Sequence, residues 1–229
     1  YISYSGILLY LPDDETTFER IYRRLLWCII SLKRNKFLAG SSDVYLYKIS
    51  NPMNIYLIRH TSVDVPAGYA YGQTDVPLKP TFEEEAEEVK KGLSDHTFDK
   101  VWTSPLTRCV RLANYCGFPE AEREDRIKEV NFGEWEMKSW NELSSDPRSE
   151  AWFKDWVNNP TPNGESLQDQ YDRVSDFLNE LRKSGLQKVC LFAHGGVLTC
   201  ARVYAGEYPL QDAFKNVPSY GAIVKLVLD

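Results

Sequence analysis

From residue 53 onward the chain alternates between two hydrophobic rhythms. Ile55 to Ile58 is an unbroken apolar and aromatic run, too short for a buried helix and suited to a strand covered on both faces. A Gly/Pro-rich loop follows, "VPAGYAYGQTDVPLKP". Then Phe82, Ala86, Val89 and Leu93 recur at helical spacing, with Thr81 as N-cap and Glu84 at the capping-box position. "FDKVWTS" reads as a second strand, "LTRCVRLANYC" as a second helix, and "RIKEV" as a short third strand before a tryptophan-rich stretch over 135–156. Leu167, Tyr171, Val174, Leu178 and Leu181 form the buried stripe of a longer helix that Gly185 stops. A strand at 187–193, a helix at 196–205 and a strand at 221–228 complete the pattern.

Such alternation predicts an α/β fold, a three-layer α/β/α sandwich with a mostly parallel central sheet. Ligands of these folds bind beyond the carboxyl ends of the strands. Arg59, His60, Ser104 and His194 all fall at predicted strand ends, which places them along one rim.

Residues 1–52 differ from the rest. They carry seven Lys/Arg against five Asp/Glu, a charge of +2, which leaves −8 of the total of −6 to residues 53–229. The first methionine is Met53, so a boundary is expected near residues 50–53. The segment 1–52 reads as an N-terminal extension, either an appendage with an amphipathic helix around residues 16–32 or a misassigned start outside the folded unit.

The bulk composition fits one globular domain with a sizeable core, 43% hydrophobic and 26% charged. The net charge of −6 argues against a nucleic-acid binder but leaves room for a locally basic pocket. Five cysteines without C-x-x-C spacing argue against a zinc ribbon or a disulfide framework, and predict reduced thiols and a cytoplasmic setting. The apolar run Leu25 to Leu32 is too short to span a bilayer, so no membrane partner is expected. Oligomeric state is not legible.

A histidine at a strand end is commonly structural. Here one is preceded by Arg59 and the other followed by Gly195 and Gly196, which lets backbone approach a ligand at a helix start. His96, on a polar turn, reads as a surface residue. Two distant histidines beside arginines make a poor metal site. They suit phosphate, which accepts bidentate guanidinium bonds, and Arg108 at a helix start supplies a second fork. A histidine nucleophile would divide phosphate-ester hydrolysis into two in-line displacements.

The motifs "IRHT" (58–61), "TSPLTRC" (103–109), "EVNFGEWE" (129–136), "PNGES" (162–166) and "AHGG" (193–196), in this order, resemble the histidine phosphatase superfamily, also called phosphoglycerate mutase-like. The resemblance covers residues 53–229 as a catalytic domain. "YGQTDVPL" (71–78), "FGEWEMKSW" (132–140) and "WFKDWVNNPTPNGESL" (152–167) are similar to its α-ribazole phosphatase branch, which serves cobalamin assembly. The family implies His60 as nucleophile, Arg59 and Arg108 as phosphate clamps, His194 as the second imidazole and Glu129 as general acid. It implies no metal and no cofactor, with a small phosphorylated molecule as partner. Spacing alone does not distinguish Glu129 from Glu134 or Glu136. Tyr71 and Gln73 fall where family members shape the substrate mouth, although packing in a turn explains them equally. Thr61 stands where glycine is commonest, and the W-N pair that often follows is absent. A broad-specificity phosphatase, a cofactor-dependent phosphoglycerate mutase and an inactive phospho-ligand binding protein remain alternatives. The tryptophans of 135–156 read either as core or as a stacking surface for an aromatic base.

Overall fold

The computed structural model describes Ser3–Tyr4, Ile7–Leu8 and residues 52–228. The chain divides into two units, Tyr1–Ile49 and Ser50–Asp229. Of the first, the described part is an antiparallel pair, β1 (Ser3–Tyr4) and β2 (Ile7–Leu8). The helix expected around residues 16–32 lies outside the described residues, as does Cys28.

The second unit is a five-stranded sheet in the order β5-β4-β6-β3-β7, formed by β3 (Met53–Arg59), β4 (Lys100–Thr103), β5 (Glu122–Arg123), β6 (Lys188–Ala193) and β7 (Ile223–Leu228). β3, β4, β5 and β6 run parallel and β7 is an antiparallel edge. Strand alternation explains why the central strands read as continuous apolar runs. Ile55, Leu57, Val189 and Leu191 enter one core with helices α5 (Leu167–Lys183) and α6 (Gly195–Tyr204). Tyr56, Ile58, Cys190 and Phe192 enter the opposite core with α1 (Phe82–Leu93) and α2 (Thr107–Tyr115). Each such fully enclosed aliphatic side chain contributes roughly 1.5–3 kcal/mol by leaving water. Helices therefore cover both faces, and the three layers and mostly parallel sheet are as the sequence predicts.

Two short helices, α3 (Trp140–Ser144) and α4 (Ser149–Lys154), belong to a third cluster around Trp135 and Trp152. Trp135 is fully enclosed, with its ring edge-on to Trp152 at 5.6 Å. It offers no face to a ligand, so for this residue the core reading holds. Trp140 stacks on Trp152 at 5.5 Å and lines a cleft of about 320 Å³ with Phe132, Phe153 and Phe214.

Three local expectations need correction. The strand expected at "RIKEV" is displaced to Glu122–Arg123, and Asp125–Ile127 is a 3-10 turn. Arg173 explains the departure, because its guanidinium takes the carbonyls of Arg126, Lys128 and Glu129 that a sheet would have paired. Thr81 is the N-cap residue as expected, but it makes no capping box with Glu84, since its hydroxyl donates to Glu85 instead. His96 is half-buried, with its ring 4.7 Å from that of Tyr56.

Among the described residues no helix is long and apolar enough to cross a membrane. Cys109, Cys116, Cys190 and Cys200 are buried and free.

Candidate active site

Three adjacent parallel strands, β4, β6 and β3, deliver Ser104, His194 and the Arg59–His60 pair to one rim. The backbone there is cross-linked: His60 N–H donates to the Ala193 carbonyl at 3.1 Å, and Ser104 N–H to that of Phe192 at 2.8 Å. The two imidazoles meet edge to face, with centroids 5.2 Å apart.

Each ring has a defined tautomer. His60 Nδ1 lies 2.7 Å from the Thr61 carbonyl, which only accepts, so Nδ1 carries the proton and Nε2 keeps a lone pair. Arg108 Nε, which only donates, lies 3.2 Å from His194 Nδ1, so that ring is protonated at Nε2, from which it donates to Ser104 Oγ at 2.7 Å. Burial first, and then the Arg108 charge, pushes His60 down from 6.5 to about 3. The same causes hold His194 well below its ordinary value. Both rings are therefore neutral at pH 7, and His60 Nε2 is available as a nucleophile.

Arg108, the second residue of α2, is fully buried, and its two terminal nitrogens donate to the Thr74 and Gly72 carbonyls at 3.0 and 2.5 Å. Arg59 donates to the Pro218 carbonyl and lies 4.0 Å from the centre of the Tyr220 ring, while its buried Nε has no protein partner. An unpaired guanidinium N–H in a buried site is a ready donor for an anionic oxygen.

Glu129 lies on irregular chain after the Asp125–Ile127 turn. Its Oε1 accepts from Gln170 Nε2 at 2.9 Å and Val130 N–H at 3.0 Å, and its Oε2 accepts from Gly196 N–H at 3.1 Å. Both glycines after His194 are sterically required. A Cβ on Gly195 would stand 3.3 Å from the Arg59 guanidinium and 2.8 Å from a Val217 methyl, and one on Gly196 would stand 2.3 Å from Glu129 Oε1.

Glu134 and Glu136 have other work. Glu134 is an exposed partner of Arg148 and Asn163. Glu136 accepts from the backbone N–H groups of Gly72, Gln73, Thr74 and Phe132. Tyr71 and Gln73 lie on the loop so held. The Tyr71 hydroxyl meets that of Tyr220 at 2.5 Å, and burial together with this bond raises the Tyr71 phenol. Gln73 donates to the Glu129 carbonyl at 3.1 Å. Tyr220 and Gln170 had no marking in the sequence, because their partners lie 41 or more residues away in the chain.

The model of the histidine phosphatase superfamily (branch 1) matches residues 55–229. The adenosylcobalamin/α-ribazole phosphatase of Escherichia coli K12 is 30% identical over 155 residues, covering 64% of this chain and 76% of that protein. A Hydrogenobacter thermophilus protein provisionally named phosphoserine phosphatase 2 is 28% identical over 154 residues, covering 63% and 74%. The crystal structure of the α-ribazole phosphatase from Shigella flexneri superposes with a TM-score of 0.69 at 26% identity, covering 76% of this chain and 89% of that one. The chain thus belongs to the histidine phosphatase superfamily, and it is an enzyme of the phosphatase type.

Proposed function

We propose that residues 53–229 hydrolyse phosphomonoesters through a phosphohistidine at His60, and that the substrate is α-ribazole 5′-phosphate or the corresponding cobamide 5′-phosphate. The observation that carries the chemistry is the His60 tautomer. Nδ1–H is bound to a backbone carbonyl, which turns a neutral Nε2 lone pair toward a rim lined by two arginines and a second imidazole.

In the first half-reaction the phosphoryl group lies against Arg59, Arg108 and His194. His60 Nε2 attacks phosphorus in line, the phosphorus–oxygen bond to the leaving group breaks, and Glu129 gives that oxygen a proton. In the second, Glu129 takes a proton from water as its oxygen attacks phosphorus. The phosphorus–nitrogen bond then breaks, and its electron pair returns to Nε2. Preorganised guanidinium groups stabilise the charge on the equatorial oxygens, so the scheme calls for no metal ion. Buried free thiols suit a reducing, cytoplasmic setting.

The substrate assignment is supported by the motifs over 71–78 and 132–167 and by relatives named α-ribazole phosphatase. The relative named for phosphoserine supports a second reading, a phosphatase of other or broader specificity. Steady-state phosphate release in EDTA, compared for α-ribazole 5′-phosphate, phosphoserine, 3-phosphoglycerate and p-nitrophenyl phosphate, separates them. A preference for the first of about 10²-fold or more in kcat/KM, about 2.7 kcal/mol of transition-state binding, establishes the cobalamin substrate. Equal rates leave the chemistry and replace the substrate by a broad class.

A further inference from the structure

Arg108 is held by a loop that makes no contact with phosphate in the proposed scheme, and that loop is itself assembled on one carboxylate. Glu136 Oε1 accepts from Gln73 N–H at 2.9 Å and Phe132 N–H at 3.0 Å, while Oε2 accepts from Gly72 N–H at 2.9 Å and Thr74 N–H at 3.3 Å. The Gln73 N–H shares a peptide plane with the Gly72 carbonyl, so turning it toward Glu136 directs that carbonyl the other way, while the Thr74 N–H bond holds the residue that carries a second carbonyl. The carbonyls of Gly72 and Thr74 both accept from Arg108. The next residue, Asp75, accepts from Thr107 N–H at 2.9 Å and so ties the loop to the start of the helix that carries Arg108.

We propose that Glu136 is a positioning residue, which sets the Arg108 guanidinium for phosphate by orienting the Gly72 carbonyl and anchoring the Thr74 backbone. This rests on the reading of Arg108 as a phosphate clamp. A guanidinium on a flexible stem must give up rotamer freedom to meet a phosphate oxygen, and bonds made before the ligand arrives remove that cost from binding. Arg108 has a second anchor in His194, so the loop carbonyls determine the tilt of the guanidinium plane while the imidazole fixes its Nε. Glutamine at 136 keeps the shape, but one of its two acceptor oxygens becomes an NH2 group that cannot accept, and it faces two N–H donors.

The test is a double-mutant cycle on Glu136→Gln and Arg108→Ala. It reads kcat and KM for p-nitrophenyl phosphate, the inhibition constant of inorganic phosphate, and thermal unfolding. Glu136→Gln alone is expected to raise KM and the phosphate inhibition constant by about tenfold. In the Arg108→Ala background the same change should have no further effect on either. An equal effect in both backgrounds overturns the proposal, because Glu136 would then act on something other than Arg108. An Arg108→Ala variant that binds phosphate normally would instead remove the clamp reading itself, whatever Glu136 does. If Glu136→Gln does not fold, Glu136→Asp, which keeps both acceptor oxygens one methylene short, carries the same cycle.

Discussion

Arg108 Nε donates to His194 Nδ1 across 3.2 Å, joining the two groups from α2 and β6 that the proposed chemistry needs on the phosphoryl group. It also fixes the proton of His194 on Nε2, where Ser104 receives it. Complete burial first, and then the adjacent guanidinium charge, hold that imidazole neutral.

Replacing His60 by alanine should abolish turnover and leave the fold, because in the proposed scheme the ring is the nucleophile and its removal deletes the first half-reaction. The expected loss in kcat is roughly 10⁴-fold or more. Circular dichroism checks the fold, and rapid acid quench with radiolabelled substrate should trap phosphoprotein in the parent and none in the variant. Substantial residual turnover would refute the assignment.

Glu129→Gln tests the general acid through the leaving group. With an alkyl phosphate, whose alkoxide needs a proton to depart, kcat should fall by roughly 10²–10⁴-fold. With p-nitrophenyl phosphate, whose phenolate leaves unaided, the first half-reaction should be nearly unchanged, which a pre-steady-state burst of p-nitrophenolate would show. Equal losses in that step for both substrates would exclude proton donation by this residue.

A methyl group at position 196 should separate activity from stability. Alanine raises helix propensity by about 1 kcal/mol over glycine, yet its Cβ would stand 2.3 Å from Glu129 Oε1 and 2.7 Å from Gln170 Oε1. The expected result for Gly196→Ala is a kcat lower by about tenfold or more with a melting temperature changed by only a few degrees. Unchanged kcat would mean that Glu129 moves without consequence.

The depressed imidazoles make stability depend on pH. His60, with a folded value of about 3, refuses a proton that the unfolded chain accepts below 6.5. Its contribution is therefore complete above pH 6.5 and is lost as pH falls toward 3, and His194 acts in the same direction. Urea unfolding at pH 7 and pH 4.5 should show a smaller difference for His60→Ala than for the parent. An identical difference would mean that His60 titrates normally in the folded protein.

The sequence revealed the strand ends because their signal is local. An apolar run covered on both faces and ending in Arg59–His60 or His194 needs no distant information. The failures share a cause of the opposite kind. The "RIKEV" strand is lost to Arg173, some 45 residues later. Glu136 stood in view inside "FGEWE", but its task depends on peptide groups more than 60 residues earlier. Tyr220 meets Tyr71 across 149 residues, and no nearby pattern marks it.

His60, Ser104 and His194 follow directly from the three innermost strands, each of which is paired on both sides. These groups cannot loosen by fraying of a surface loop. Heat inactivation should accordingly coincide with cooperative melting, and amide hydrogens at the rim, those of His60 and Ser104, should exchange only through global opening. The strand-end groups, at least, should hold their places up to the edge of the melting transition.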